Sequence, residues 1–560
     1  MKQKLKISGP VLAVLLVAFL GGWHFLETRR GAVASGDFWL CDMYIGLFVA
    51  VAVFLAVIGV MLFAARAVPG FVQRDAAVSV SGKRADRRSG FLQFKRIRTE
   101  ICAFVAVLVL GCMYMFVLPP LSAPDEVAHF VSAYAISNQM MGMERTDEYG
   151  FVLMRQEDEF LQNVELVDGD EARESLGRTL TEDIWQKIMD RVTPVFVSSE
   201  QKVMVSSVNG QNHTTPVSYL APALGITLAR LLGVNCIVLA FMGRFFNLLF
   251  YAAMVYLAVK VLPFGKNVLF GVSILPMALH LAASYSYDTF LMGMCFFFGS
   301  YCLYLAYAKP MVQWKDIALL AVLAAAFGPC KMVYAVMMGF ALLIPVKKFG
   351  DWKKWGVSAA AVLVAFCAAM VLVNRSTITN YAVSTDTYVE WAAEPAYSLS
   401  LILHNPMMYA RVMYDSLVHL GDEWAMQLFG GMLGNLDPVL SVPFFVIGGM
   451  AVCLAVLSLR NAGEALYMKG WQKFWICFLA FGCLLGLMTA MLIAWTPLSS
   501  QVVEGVQGRY LLPVVPFVLM CLKNDRVVRT EGNDEKLIFY MCAMNCYVVL
   551  RLFSIVSLRL

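Results

Sequence analysis

Two adjacent carboxylates, Asp125 and Glu126, and an imidazole, His129, follow the turn Pro119-Pro120-Leu121-Ser122-Ala123-Pro124, which itself closes an apolar stretch from Ile101 to Leu118. A carboxylate pair beside an imidazole is a combination that general acid and base catalysis uses. Its place at the end of an apolar span suits a substrate carried on a lipid. If a helix begins at Pro124, Asp125 and His129 share a face and can hydrogen-bond. A plainer reading needs no chemistry: Ser122, Asp125 and Glu126 would cap the helix and complement the positive end of its dipole.

The elements that must hold these groups are membrane helices. Of 560 residues 60% are hydrophobic and 15% charged, and the mean hydropathy is +0.69, which excludes a soluble domain. The net charge of +5 comes from short basic clusters between apolar spans and builds no face for nucleic acid. Apolar windows predict crossings near 8–27, 39–64, 101–118, 237–261, 267–283, 288–308, 316–329, 331–346, 356–373, 438–459, 472–495, 510–523 and 537–556. That is an all-α integral membrane protein of about thirteen transmembrane helices.

Charge sets the expected topology. Between the second and third spans Arg66, Arg74, Lys83, Arg84, Arg87, Arg88, Lys95, Arg96 and Arg98 face only Asp75, Asp86 and Glu100, so this linker is expected in the cytoplasm. With Lys2, Lys4 and Lys6 also inside, the third span delivers Asp125 and Glu126 to the outer face of the cytoplasmic membrane. The stretch from Tyr219 to Leu232 is read as an interfacial or re-entrant helix. Counted as a crossing, it would put Lys309, Lys315, Lys347, Lys348, Lys353 and Lys354 outside.

The outside then holds residues 119–236, 374–437 and 496–509. The first of these, with Glu157, Asp158, Glu159, Asp168, Asp170 and Glu171, is expected to fold as a small external cap. The expected plan is two added N-terminal helices in 1–65, the basic linker 66–100, a membrane core 101–525, and a cytoplasmic loop with the last helix in 526–560. The first span lacks a small-residue cleavage pattern and is expected to stay as an anchor. Apart from Cys236 at the very end of the first, no cysteine falls within the long external segments, so no external disulfide framework is expected.

Several ordered motifs resemble a known family. They are the PPLSAPDEVAHF segment, His213-Thr214-Thr215-Pro216-Val217-Ser218-Tyr219-Leu220-Ala221-Pro222, Gly243-Arg244-Phe245-Phe246-Asn247, Ser284-Tyr285-Ser286-Tyr287-Asp288, the run from Gly430 to Asp437, and Glu504-Gly505-Val506-Gln507-Gly508-Arg509-Tyr510-Leu511-Leu512-Pro513. From about residue 100 to 525 the chain resembles the bacterial membrane family catalogued as domain of unknown function 2142 (DUF2142). In layout that family is similar to the C-type glycosyltransferases, which move a sugar from a polyprenyl-phosphate carrier to an acceptor on the outer face. Two spans and a basic linker ahead of the acidic loop depart from that layout.

The resemblance implies roles. Asp125 would be the general base, with Glu126 orienting the acceptor or exchanging roles with it, and His129 supporting the carboxylate. The departing phosphate would need fixed cations at the outer interface. Arg509 at the mouth of a late span, and Lys331 after Gly328-Pro329-Cys330, are the candidates, with Tyr510 beside the lipid head. Arg244, Asp288, Asp437, Glu504 and Gln507 complete the expected substrate-binding set; simple snorkelling is the bland alternative for Arg509, and helix capping for Asp288 and Asp437.

The expected partners are a polyprenyl-phosphate sugar donor, a cell-envelope glycan or lipid acceptor, membrane lipids and a donor-making synthase, with no nucleic acid. No cofactor is expected. Asp125, Glu126 and His129 carry enough oxygen and nitrogen for one divalent ion, which stays open, although these three form no DxD or HxxxH spacing. The rival class is a transporter or flippase of a lipid-linked saccharide, which would place charges at the bilayer midplane and show an internal repeat.

Overall fold

Prolines and polar caps cut the apolar sequence into helices of unequal length. The computed structural model describes residues 8–64, 97–162, 175–178, 180–181, 183–198, 200–210, 215–383 and 388–559, and only the backbone of 66–69, 92–95, 201 and 376–383. Lys2, Lys4 and Lys6, most of the basic linker 66–100, Asp168, Asp170 and Glu171 of the cap, and His213 and Thr214 lie outside the described residues.

Three helices precede the first long loop: α1 (Gly9–Ser35), α2 (Trp39–Phe63) and α3 (Thr99–Val117). α3 stops where Pro119 and Pro120 follow. Proline supplies no N–H and pushes the residue before it out of helical geometry, here to φ −106° and ψ 97° at Leu118. The loop that follows holds α4 (Glu126–Met140), α5 (Asp183–Val192) and α6 (Leu220–Leu232), with strands Phe151–Arg155 and Met204–Gly210 paired antiparallel. Next come α7 (Cys236–Val261), α8 (Lys266–Ser273), α9 (Pro276–Ala282), α10 (Asp288–Tyr307), α11 (Trp314–Phe327) and α12 (Trp352–Val383). They are followed by α13 (Leu399–His404), α14 (Pro406–Leu428), α15 (Phe444–Leu457), α16 (Trp471–Ala494), α17 (Val515–Met520) and α18 (Asp534–Val556).

Among the described residues eight helices are long and apolar enough to cross a membrane: α1, α2, α3, α7, α10, α12, α16 and α18. The other five expected crossings are shorter or interrupted. Residues 267–283 divide into α8 and α9, because Pro276 starts a new helix. α11 and α15 have 14 residues each. The 331–346 stretch is a 3₁₀ helix, Met332–Leu343, and 510–523 becomes a 3₁₀ turn, Gly508–Leu511, followed by α17. At about 2.0 Å per residue a 3₁₀ segment covers more depth than an α-helix of equal length.

α7 is the hub: α3, α6 and α10 all pack along it. Its start is fixed by Asn235, whose side chain accepts the N–H of Val238 at 2.9 Å as an N-cap. α1 and α2 pack on α18, with Tyr44 donating to the carbonyl of Gly21 at 2.7 Å. Asn545 of α18 accepts from Tyr114 of α3 and donates to the carbonyl of Ile274, which ties both to the core.

A buried polar network locks the cap. Asp158, one of the acids singled out in the sequence, takes two bonds from Arg155 at 2.7 and 2.9 Å and a third from Tyr134 at 2.7 Å. Arg155 also donates to the carbonyl of Val234 just ahead of α7. Arg230 of α6 donates to Ser137 and Asn138 of α4, so the strands, α4 and α6 are cross-braced.

Away from the cap, polar side chains of the helical core gather in a separate linked set. Lys309 pairs with Asp316 at 2.7 Å, Lys348 donates to the carbonyl of Lys309, and Tyr307 donates to Gln472 at 2.6 Å. Lys473 donates to the carbonyl of Lys523, Lys523 pairs with Glu464 at 2.8 Å, and Asn267 and Asn461 both donate to Asp534. Asp125, Asp288, Lys331 and Arg509 share none of these contacts and form their own group.

Candidate functional site

The site begins with a backbone irregularity. Asp125 sits at φ 57°, ψ 13°, in the left-handed region, and α4 starts at Glu126 and not at Pro124. Leu121 (φ 66°) and Leu436 (φ 56°) are also left-handed, a conformation that costs a branched side chain on the order of 1–2 kcal/mol. Capping does not explain the carboxylate: although Asp125 occupies the N-cap position, its side chain makes no cap hydrogen bond, and Ser122 Oγ is buried without a partner. Asp125 is instead 71% exposed, with Arg509 Nη2 at 3.8 Å.

Its neighbour is the opposite. Glu126 is fully buried and accepts from the N–H of Ala123 at 2.8 Å and of Tyr285 at 3.0 Å, with Arg244 Nε at 3.3 Å. Burial pushes this carboxyl up, and Arg244 with the backbone donors pulls it back down. Arg244 also donates to the carbonyl of Ala283 at 2.5 Å. Glu126 and Arg244 thus form an enclosed pair that clamps the 123–126 turn to the 283–285 loop; the Glu126 position borders the cavity described below, while its carboxylate is turned into the pair. Asp125 and Glu126, expected to share roles, thus stand in opposite surroundings, one exposed and one buried.

His129 does not reach Asp125 either. With the helix starting two residues later than expected, its Nδ1 lies 2.8 Å from Tyr219 Oη and its ring stands edge-on to Tyr287 at 4.9 Å. Burial holds the imidazole down to about 4, against the attraction of Asp125 and Asp288. At neutral pH it is an uncharged wall of the site.

Behind Asp125 lies an ion cluster. Asp288 is met by Lys331 Nζ at 3.0 Å and Arg509 Nε at 3.6 Å. Lys331 lies 3.9 Å from the centre of the Tyr510 ring and 5.0 Å from that of Tyr287, a cation on aromatic faces. Tyr334 donates to the carbonyl of Tyr510 at 2.7 Å and fixes that residue. Arg509 is buried, yet its Nη1 has no hydrogen-bond partner among the described residues. A buried guanidinium with free N–H groups is equipped to receive an anion. So Asp125, Asp288, Lys331, Arg509 and Tyr510, drawn from four separate segments, come together.

The approach of Arg509 rests on Gly508. A Cβ there would lie 1.8 Å from the carbonyl oxygen of Trp424, and the Gly508 N–H donates to Gln427 at 2.8 Å. Only glycine lets this turn lie against α14. The remaining candidates stand apart from the cluster. Glu504 accepts from Ser500 at 3.1 Å, and Gln507 Oε1 is buried without a partner. Asp437 is paired with Arg559 and accepts the N–H of Val439 at 2.9 Å, the capping contact expected as its plainer reading.

On the other side of Asp125 a cavity of about 370 Å³ opens between the turn, the cap and the 430–437 loop. Sequence reasoning missed its polar lining, Gln162, Asn209 and Asn435, and gave no roles to Tyr219 and Tyr287. Both tyrosines and Asn435 lie in motifs already noted; Gln162 and Asn209 have no sequence signal, since they meet only in the fold. Among the described residues no three His, Cys, Asp or Glu side chains gather in a metal-binding arrangement.

A family model described as "Predicted membrane protein (DUF2142)" matches residues 108–518. α1, α2 and α18, which pack on one another, lie outside the matched range. No curated protein and no solved structure matches the chain.

Proposed function

The chain belongs to the DUF2142 family of predicted membrane proteins, and on that footing we propose that it is a glycosyltransferase of the polyprenyl-phosphate-dependent, C-type kind. It would move a sugar to a cell-envelope polysaccharide or lipid acceptor on the outer face of the cytoplasmic membrane. The observation that carries this reading is the solvent-facing Asp125 carboxylate standing 3.8 Å from Arg509, beside the Lys331–Asp288 pair. A base and a phosphate-binding cation are thereby adjacent.

In the reaction the acceptor hydroxyl gives its proton to Asp125 as its oxygen bonds to the anomeric carbon. The bond from that carbon to the phosphate oxygen breaks, the electron pair leaves with the lipid phosphate, and the proton on Asp125 passes to water. Arg509 and Lys331 take up the charge that develops on the phosphate. Glu126 and Arg244 act at one remove, holding the turn that carries Asp125.

Topology fits the same scheme. With thirteen crossings, the five short or broken segments included, the linked basic set falls in the cytoplasm and the Asp125 cluster outside, in accord with the positive-inside bias. Thr99, which ends the basic linker, lies in a pocket with Lys523 and Asp534 of that set. A lipid-linked saccharide flippase is the alternative. Against it, the ion pairs gather in separate groups near helix ends, where a transporter would concentrate charge at the midplane.

The test is Asp125→Asn. It is expected to keep binding of the lipid-phosphate donor and to lose turnover by about 10²-fold or more. Full activity in this variant removes Asp125 as the base.

A further inference from the structure

We propose that the cavity beside Asp125 is the acceptor subsite and takes the hydroxyl-bearing end of a saccharide; the assignment rests on the glycosyltransferase reading above. The volume, about 370 Å³, is at the small end of the range of roughly 300–1,000 Å³ for small-molecule sites. It suits a sugar ring and excludes a long isoprenoid chain.

Its chemistry points the same way. Asp125, Gln162, Ser175, Arg178, Asn209 and Asn435 contribute polar groups. Amides and hydroxyls both donate and accept, which matches a polyol, whose every hydroxyl does the same. Asn209 donates to Gln162 at 3.1 Å and fixes the two amides side by side. The two larger cavities, about 580 and 710 Å³, are lined almost wholly by apolar side chains of the membrane helices and carry no such set.

The cavity is built, since three separated segments are held on its rim. The 175–178 segment is seated on the proline turn through Gly177, where a Cβ would lie 2.3 Å from the carbonyl oxygen of Pro120 and 2.6 Å from Leu121. Three of the four non-glycine residues with positive φ among the described residues, Leu121, Asp125 and Leu436, line this space or adjoin it. Backbone held in an unfavourable region by its surroundings marks a place where orientation matters. Lys331, Asp288 and Tyr510 are not part of the lining. Asp125 therefore stands between two compartments, with an uncharged polyol on the cavity side and a phosphate on the cation side. That is where a base must stand to deprotonate one substrate as it attacks the other.

The experiment uses the full chain in nanodiscs and saturation-transfer NMR, with methyl glycosides of a neutral hexose, an N-acetylhexosamine and a hexuronic acid as probes, and farnesyl phosphate as the lipid-phosphate probe. Wild type is expected to bind at least one glycoside. Asn209→Phe, which fills the cavity, and Asn435→Ala, on an exposed loop, are expected to weaken that binding at least tenfold with farnesyl phosphate binding unchanged. No glycoside signal with wild type, or equal glycoside binding in both variants, overturns the proposal. Failure of farnesyl phosphate to bind wild type overturns instead the lipid-phosphate reading on which the proposal rests, and glycoside binding that responds to the variants would then mark a saccharide site of another activity.

Discussion

Replacing Glu126 by glutamine removes one charge and changes almost no volume, and it should be among the most damaging single changes in the protein. The carboxylate accepts from the N–H of Ala123 and Tyr285 at 2.8 and 3.0 Å, with Arg244 at 3.3 Å. An amide keeps one acceptor oxygen and turns an NH₂ towards one of these donors. One buried N–H then loses its partner, at about 1–3 kcal/mol. Arg244, itself wholly buried, is left without its counter-charge, and breaking such a pair costs about 3–5 kcal/mol, a range that already contains the lost hydrogen bond.

The expected loss is therefore about 3–5 kcal/mol. Most of the 14 free cysteines are buried, so a thiol-reactive dye in detergent reports unfolding directly. Glu126→Gln should unfold well below wild type. The double variant Glu126→Leu, Arg244→Leu should recover part of the loss, because no lone charge remains buried. A Glu126→Gln protein as stable as wild type, or a double variant whose loss is the sum of the two single losses, would refute the clamp.

Gly508→Ala is expected to prevent the turn from seating on α14, since its Cβ would lie 1.8 Å from the Trp424 carbonyl; gel filtration should show a reduced yield of monodisperse protein. His129 is held at about 4 in the fold, below the ordinary 6.5. Its contribution to stability is thus complete above about pH 6.5 and is lost as pH falls towards 4, by about 3 kcal/mol in all; His129→Phe should flatten that part of the thermal stability profile. Arg509→Ala should weaken lipid-phosphate binding at least tenfold, measured by titration, and leave glycoside binding within twofold.

The long apolar helices were legible because length and composition define them, α3 and α16 among them. The five shorter segments do not take the form of long apolar helices, since the helix start at Pro276 and the 3₁₀ winding of 332–343 depend on packing that no local pattern encodes. Within the site, sidedness singled out Lys331, because a cation at a span end read as outer runs against the expected bias, and Arg509 was singled out by its place where the last external loop is expected to enter a span. Sidedness also singled out Arg244, whose partner Glu126 lies far back in the chain and takes it out of reach. Asp125 and Glu126 are equivalent as letters. What separates them is the 283–285 loop, which buries one and leaves the other exposed, and no local pattern encodes that contact.

The central claim is that a sugar leaves a lipid phosphate at this site. Purified protein in proteoliposomes, given radiolabelled polyprenyl-phosphate sugars and cell-envelope glycolipid acceptors, tests it most directly. Label passing to an acceptor with wild type, and not with Asp125→Asn, is the predicted result. Label that crosses the bilayer still attached to its lipid, with none on any acceptor, would contradict the account and establish the flippase.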